Sequence, residues 1–260
     1  MATLDGSPAS TDDLLPLALT NFGHFTTMRV EADGSVRGLR LHLDRLARDC
    51  ATVFGTDLDT GYVRDLIRDA VSPQRGPCVV RTTLHDPTIN MNNPAAATTP
   101  RPLISVRPAA APPSAPLRAL SLTYERDLPE VKHVGLFGTL WARRTAQHAG
   151  YDDALFVGRD GLVSEGGTWN VGFVDDQDTV VWPQAPVLPG ITMTLLQRRI
   201  AHRVAPLTLA EATTMSAAFA TNVSIGVRPL ATLDTTGFAP DHPVLKQLQA
   251  AYQSIPGEPL

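Results

Sequence analysis

Apolar and polar residues alternate over Phe25–Val30, and Ala32-Asp33-Gly34-Ser35 follows as a turn signal, which predicts a strand entering a hairpin. The period then changes. In Leu41–Cys50 (LHLDRLARDC), Leu43, Leu46 and Ala47 share one face at helical spacing. Val63–Val71 reads as a second helix, and Cys78–Leu84 and Leu103–Val106 read as strands. Further on, Gly135–His148 is predicted helical and ended by Gly150, a residue suited to the position just past a helix. Four short strands are predicted at Ala154–Val157, Leu162–Ser164, Val171–Val174 and Thr179–Trp182, with turns at 159–161 and 175–178. Pro189-Gly190 opens a helix predicted over Ile191–Arg203, and Thr208 caps another over Leu209–Met215. Strands at Ala217–Thr221 and Val227–Leu230 and a helix at His242–Ala251 complete the pattern. Strands and helices mix without a regular βαβ alternation, which predicts an α+β fold of two lobes rather than a Rossmann sheet or TIM barrel. No internal repeat is visible.

Two segments interrupt the periodic pattern. Residues 86–102 (DPTINMNNPAAATTPRP) are polar and rich in Pro and Ala, and read as a loop. Residues 107–117 carry Pro108, Pro112, Pro113 and Pro116, which fix φ and remove donors, so a stiff extended connector is expected. A domain boundary near residue 115 follows, with a smaller N-terminal lobe over 1–115 that holds Arg45 and a larger C-terminal lobe over 116–260 that carries Lys132. A hydrophobic content of 43% across 260 residues supplies a sizeable core. The net charge of −4 comes from basic residues scattered among acids, which argues against a nucleic-acid or anionic-membrane partner. Cys50 and Cys78 form no CxxC pair, so neither a disulfide framework nor structural zinc is expected. The acidic start lacks the basic segment of a signal peptide, and no apolar run reaches the roughly 20 residues of a spanning helix. A soluble, cytoplasmic protein is the expectation.

Four short constellations carry candidate chemistry. Lys132 sits among valines and is followed by Gly-Leu-Phe-Gly, in a chain whose basic charge is mostly arginine. Apolar surroundings disfavour the ammonium form and make a lysine nucleophilic, as Schiff-base chemistry requires. Read alone, it is a surface lysine at a strand end. Asp160–Val171 runs from a turn into a strand ending in Glu165-Gly166-Gly167. The glycines let a flat ligand approach the backbone, and the acid can keep a pyridinium nitrogen protonated; the plain alternative is a turn-facing Glu. In Leu188-Pro189-Gly190-Ile191-Thr192, free amides at a helix start and the Thr192 hydroxyl suit an anion, or mark an ordinary helix entry. Arg45, in His42-Leu43-Asp44-Arg45-Leu46, offers a guanidinium fork suited to phosphate, or a solvated helix face. No Gly-rich dinucleotide or NTP loop is present. His24, His42 and His133 show no metal-ligand spacing, so no metal is expected.

Taken together and in order, Phe25-Thr26-Thr27-Met28-Arg29-Val30, His42-x-x-Arg45-Leu46, Lys132, Asp160-Gly161 with Glu165-Gly166 and Asn170-Val171, and Leu188-Pro189-Gly190-Ile191-Thr192 resemble the class IV aminotransferases. That family includes D-amino acid and branched-chain aminotransferases and aminodeoxychorismate lyase, and the resemblance spans about residues 21–253. It implies the two-lobed fold-type IV architecture, pyridoxal 5′-phosphate (PLP) as cofactor and a homodimer. It further implies that Lys132 is the Schiff-base lysine and proton carrier. Arg45, Ile191 and Thr192 take the phosphate, with Asn222-Val223 adding contacts. Glu165 partners the pyridine nitrogen, and Phe25 lines the substrate pocket. Arg81 falls near a loop that grips substrate carboxylates in the D-amino acid branch.

The sequence departs from the family in places. Aminotransferases carry a threonine where Val223 stands, and Val223 has no hydroxyl to offer phosphate. Asn222 followed by a small apolar residue, and Phe25-Thr26-Thr27, are closer to the lyase branch, in which Thr27 assists proton delivery. Ser164-Glu165-Gly166-Gly167 and Pro189-Gly190-Ile191-Thr192 look more like the aminotransferases, and the resemblance implies an aminotransferase acting between an amino acid or amine and a 2-keto acid. A lyase releasing pyruvate from aminodeoxychorismate is the alternative, and a non-catalytic relative of the fold is a third reading.

Overall fold

The computed structural model describes residues 2–96 and 98–260. In chain order the elements begin with β1 (Ala2–Leu4), β2 (Ser7–Pro8), α1 (Thr11–Thr20), β3 (His24–Val30), β4 (Ser35–Val36), α2 (Leu39–Phe54) and α3 (Thr60–Val71). Next come β5 (Cys78–His85), β6 (Arg101–Pro108), β7 (Leu117–Thr123), α4 (Phe137–His148), β8 (Asp153–Val157), β9 (Val163–Gly166) and β10 (Asn170–Val174). The chain continues through β11 (Val180–Pro183), α5 (Ile191–Gln197), β12 (His202–Ala205), α6 (Leu209–Ala212) and β13 (Ala217–Asn222). It finishes with β14 (Gly226–Leu233), β15 (Thr236–Gly237), α7 (Pro243–Gln253) and β16 (Glu258–Pro259). Helices with one antiparallel and one mixed sheet give the α+β class that the sequence predicts.

The chain divides into two compact units. The first holds Met1–Ala110, Val131–Gly135 and Pro256–Leu260. Its seven-stranded sheet runs β16-β4-β3-β5-β6-β1-β2. Side chains alternate across a strand, and β3 shows why the sheet has two different faces. Met28 and Val30 join Val80, Ile104, Leu46, Val63 and Ile67 in a core with α2 and α3. Burying each such side chain stabilises by roughly 1.5–3 kcal/mol. Phe25, Thr27 and Arg29 alternate with them and share the other face. Thr27 pairs with Arg81 on β5, and Arg81 with Ser105 on β6. Helix α2 ends at Gly55, whose φ of 67° is left-handed. Helix α3 starts at Asp59, whose carboxylate accepts the Tyr62 amide at 3.0 Å.

The second unit holds Ala111–Glu130 and Leu136–Ile255. Its sheet runs β12-β11-β10-β13-β14-β7-β8-β9, and β9 also pairs with β10 through Glu165 and Asn170. That last pairing closes β10, β13, β14, β7, β8 and β9 into a ring. Leu155, Phe173, Leu230, Leu233 and Val163 fill one core, and Trp182, Phe219, Leu196 and Leu248 a second. Trp182 meets Phe219 edge-on at 5.2 Å between centroids.

The helix predicted over Ile191–Arg203 stops at Gln197, and His202–Ala205 instead lies parallel to β11, pairing Arg203 with Val181. Strand pairing outweighs helical periodicity there. The helix expected over Leu209–Met215 ends at Ala212. Helix α1 has no counterpart in the apolar pattern, because none of its residues is buried and Pro16 lies inside it. A capping box between Ser10 and Asp13 starts it. Among the described residues, no helix is long and apolar enough to cross a membrane, and no group of three or more His, Cys, Asp or Glu is arranged to hold a metal ion.

Candidate active site

In the first unit, β3 and α2 surround the segment that carries Lys132. Although Lys132 lies far along the chain, its carbonyl accepts the Phe25 amide at 2.8 Å, and the Val134 amide donates to Gly23 at 2.9 Å. His133 bridges to His24 in antiparallel fashion. The Lys132 amide donates to Oδ2 of Asp49 on α2 at 3.0 Å. The Lys132 Nζ lies 5.0 Å from the Phe25 ring centroid, and the Arg81 guanidinium carbon lies 3.6 Å from the same centroid. The structure therefore brings Lys132, Phe25 and Arg81 together around one ring. Lysine occurs only twice in the chain, and the other, Lys246 on α7, is exposed while Lys132 is half-buried.

Thr27 and Arg81 line a cavity of about 430 Å³ with Ser105, Arg107, Val79, Val106 and Ala2. Burial pushes the Arg81 guanidinium below its usual range. Arg107 lines this cavity although the sequence does not single it out: it lies in the proline-rich stretch, and only the pairing of Val79 with Arg107 sets it beside β5.

On α2, His42, Arg45 and Asp49 recur at helical spacing, and all three are buried. Arg45 Nη2 donates to the Thr26 hydroxyl at 2.5 Å, and that hydroxyl bonds His42 Nδ1 at 2.7 Å. Burial first, then the charges of Arg45 and Lys132, push His42 well below its ordinary range, so it is neutral at pH 7. Arg45 is lowered to about 10, mainly by burial, and remains a cation at neutral pH. Its Nε has no hydrogen-bond partner although the residue is 5% exposed. A buried guanidinium with an unmatched donor is costly unless an anion completes it, which fits a phosphate.

In the second unit, Glu165 on β9 is buried against the segment leading into α5. Its two carboxylate oxygens accept the Leu188 amide at 3.2 and 3.3 Å, and Arg126 Nη1 reaches Oε1 at 3.2 Å. Arg126, with a side chain 9% exposed, is a second residue that the sequence left unremarked. Asn170 Nδ2 donates to the Leu188 carbonyl at 2.9 Å. A Cβ at Gly190 would come within 1.9 Å of the Asn170 side-chain oxygen, so only glycine fits at this helix entry. Ile191 and Thr192 occupy the first turn of α5, both buried, with no side-chain cap before them. The Thr192 hydroxyl is 1% exposed as a residue and has no hydrogen-bond partner. Like Arg45 Nε, it is an unmatched buried polar atom that an anion's oxygen would satisfy.

Asn222 is committed elsewhere. Its Nδ2 donates to the Thr168 carbonyl at 3.1 Å, and its Oδ1 accepts the Ser224 and Ile225 amides at 2.8 and 3.0 Å. It shapes the turn after β13, and Val223 lies half-buried within that turn.

The family model described as amino-transferase class IV matches residues 23–233. No curated protein matches the sequence. Among solved structures, the PLP-bound form of a hypothetical aminotransferase from Mycobacterium tuberculosis is 18% identical, with 98% of each chain covered and a TM-score of 0.81. A putative 4-amino-4-deoxychorismate lyase from Legionella pneumophila is 22% identical, with 96% of each chain covered and a TM-score of 0.81. The branched-chain amino acid aminotransferase from Escherichia coli is 20% identical, covering 92% of this chain and 86% of its own, also with a TM-score of 0.81. These likenesses are to the fold. With most of its length matched by the family model, and with unmatched buried donors suited to an anion, the chain belongs to the class IV aminotransferase family of PLP-dependent enzymes.

Proposed function

We propose that the chain is an aminotransferase that moves an amino group between an amino acid or amine and a 2-keto acid, with Lys132 as its covalent and proton-carrying residue. The observation that carries this reading is the pairing of scarcity with placement. Of two lysines, Lys246 is exposed on a helix and Lys132 is half-buried beside an aromatic ring and an arginine. When bound, PLP supplies an aldehyde that joins amines and a ring that accepts electrons from the carbon next to nitrogen. The chain's residues take the rest of the work. Arg45, the Thr192 hydroxyl and the amides of Ile191 and Thr192 bind phosphate, with the Asn222-Val223 turn offering backbone donors. Glu165 holds a proton at the ring nitrogen, and the Leu188 amide and Arg126 fix its carboxylate. The Lys132 amine takes the proton from the substrate Cα and returns it. Arg81 holds the substrate carboxylate over Phe25, and Thr27 and Arg107 line the same cavity.

The reading predicts a visible absorbance band when PLP is added to the purified protein. Borohydride should bleach that band and leave a stable mass increment on Lys132, located by peptide mass spectrometry. Lys132→Ala should lose band, increment and transamination together. A label carried by Lys246 alone, or a variant as active as the wild type, would sink the reading.

Position favours one second reaction: Thr27, a hydroxyl residue, lies in the Arg81 cavity, as the lyase alternative needs. Pyruvate released from aminodeoxychorismate without any amino acceptor selects that reaction, and its absence removes it.

We further propose a homodimer, supported by the apolar surface of α4. Phe137, Leu140 and Trp141 are 79%, 53% and 61% exposed, and the two aromatic rings stack at 6.3 Å. Cys50 and Cys78 are both buried and unpaired, which supports a reducing compartment such as the cytoplasm.

A further inference from the structure

Asp49 is fully buried, and burying a carboxylate is costly unless it is well matched. Helix α2 puts it one turn past Arg45 and two turns past His42, on the buried polar stripe rather than on the apolar face of Leu46 and Cys50. Its two oxygens are divided between different tasks. Oδ1 pairs with Arg48 Nη2 at 2.7 Å, and Oδ2 accepts the backbone amide of Lys132 at 3.0 Å, across 83 residues of sequence. On its carbonyl side, the same residue is held by the Phe25 amide at 2.8 Å. Lys132 is thus gripped at its N–H by a helix and at its C=O by a strand, so the start of its side chain is fixed in position and direction. The second grip is an ordinary backbone hydrogen bond that needs no buried charge. The first grip is charge-assisted and roughly twice as strong as a neutral one. The carboxylate also favours the charged form of Arg45, whose guanidinium is on the same stripe.

From this geometry we infer that Asp49 is a positioning residue for Lys132: it sets the backbone from which the reactive amine projects. The inference rests on the proposed covalent role of Lys132. The charged and titratable groups around Asp49 are Arg45 and Arg48 on α2, Lys132 on the threaded segment, and the neutral His42 and His24.

The test uses the full chain without cofactor, labelled by pyridoxal, which lacks the phosphate and so leaves Arg45 out of the readout. Borohydride traps the adducts, and mass spectrometry compares Lys132 with Lys246 as an internal reference. Asp49→Ala should slow labelling of Lys132 about tenfold relative to Lys246, because a misdirected amine loses its orientation advantage. Asp49→Asn keeps an oxygen acceptor and should recover to within about threefold of the wild type. A Lys132 to Lys246 ratio unchanged in Asp49→Ala overturns the inference. So does an equal loss in Ala and Asn variants of equal melting temperature. Should Asp49→Ala fail to fold, amide hydrogen exchange on the wild type decides. The Lys132 amide must be protected like its neighbours in β3, and exchange at the rate of a loop amide overturns the inference. If the wild-type chain is never labelled at Lys132, the proposed function fails first, and the exchange measurement still reports on Asp49.

Discussion

His24 makes acid stability a direct probe of the first unit. It lies on β3, is fully buried beside Phe54, and neither ring nitrogen has a hydrogen-bond partner. Burial, then the charges of Arg45 and Arg48, push it down to about 3 from 6.5. The folded chain therefore keeps the imidazole neutral through mild acid, while the unfolded chain takes up a proton below pH 6.5. Stability from this residue is complete above 6.5 and is lost as the pH falls from there toward 3. At pH 5.0 the unfolded form gains about 1.5 pH units of proton binding, or about 2 kcal/mol. His24→Leu removes the titration and keeps an apolar side chain of similar size. Urea unfolding followed by far-UV circular dichroism at pH 7.5 and pH 5.0 should show the wild type losing about 2 kcal/mol more than the variant. His42 titrates in both proteins and cancels in the comparison. Equal losses in the two would refute the placement of a neutral, unpartnered imidazole in that core.

Two other perturbations test the substrate side and the assembly. Arg81→Ala should raise the KM of carboxylate substrates by roughly ten- to a hundredfold, the loss of one charge-assisted contact, while PLP absorbance is unchanged; steady-state kinetics with an amino acid and with an uncharged amine would separate the two effects. Trp141→Glu puts a charge on the apolar face of α4 and should halve the molar mass seen by analytical ultracentrifugation, and an unaltered mass would remove that face from the proposed dimer.

Residues whose environment is local were the easiest to read. The apolar spacing of Leu43 and Leu46 located α2, and the alternation of Phe25–Val30 located β3. Position along a helix was readable, but burial was not. Arg45 looks like any arginine on an amphipathic helix until Thr26 and the missing partner at Nε are seen. Asp49 was invisible for a stronger reason: its partner is a backbone amide 83 residues away, and no residue type marks such a contact. Arg107 was obscured by the prolines around it, and Arg126 because the charged run Glu125-Arg126-Asp127 after β7 resembles solvated surface until Glu165 is placed beside it. Helix α1 defeated the pattern because it buries nothing. The overlong helix at Ile191–Arg203 shows the reverse: helical periodicity survived in residues that pair as a strand.

The three-part composition of the first unit has a consequence for biosynthesis. Strands β3 and β5 and helix α2 emerge early, but residues 131–135 and 256–260 come later, the last of them to pair β16 with β4. A nascent chain stopped at residue 110 would expose the β3 edge where His133 bridges His24 and leave the Asp49 carboxylate without its amide donor. Maturation of this half must wait for translation of the other, so the ribosome delivers the lysine-bearing segment into a scaffold still unfinished, and chaperone protection would matter most in that interval.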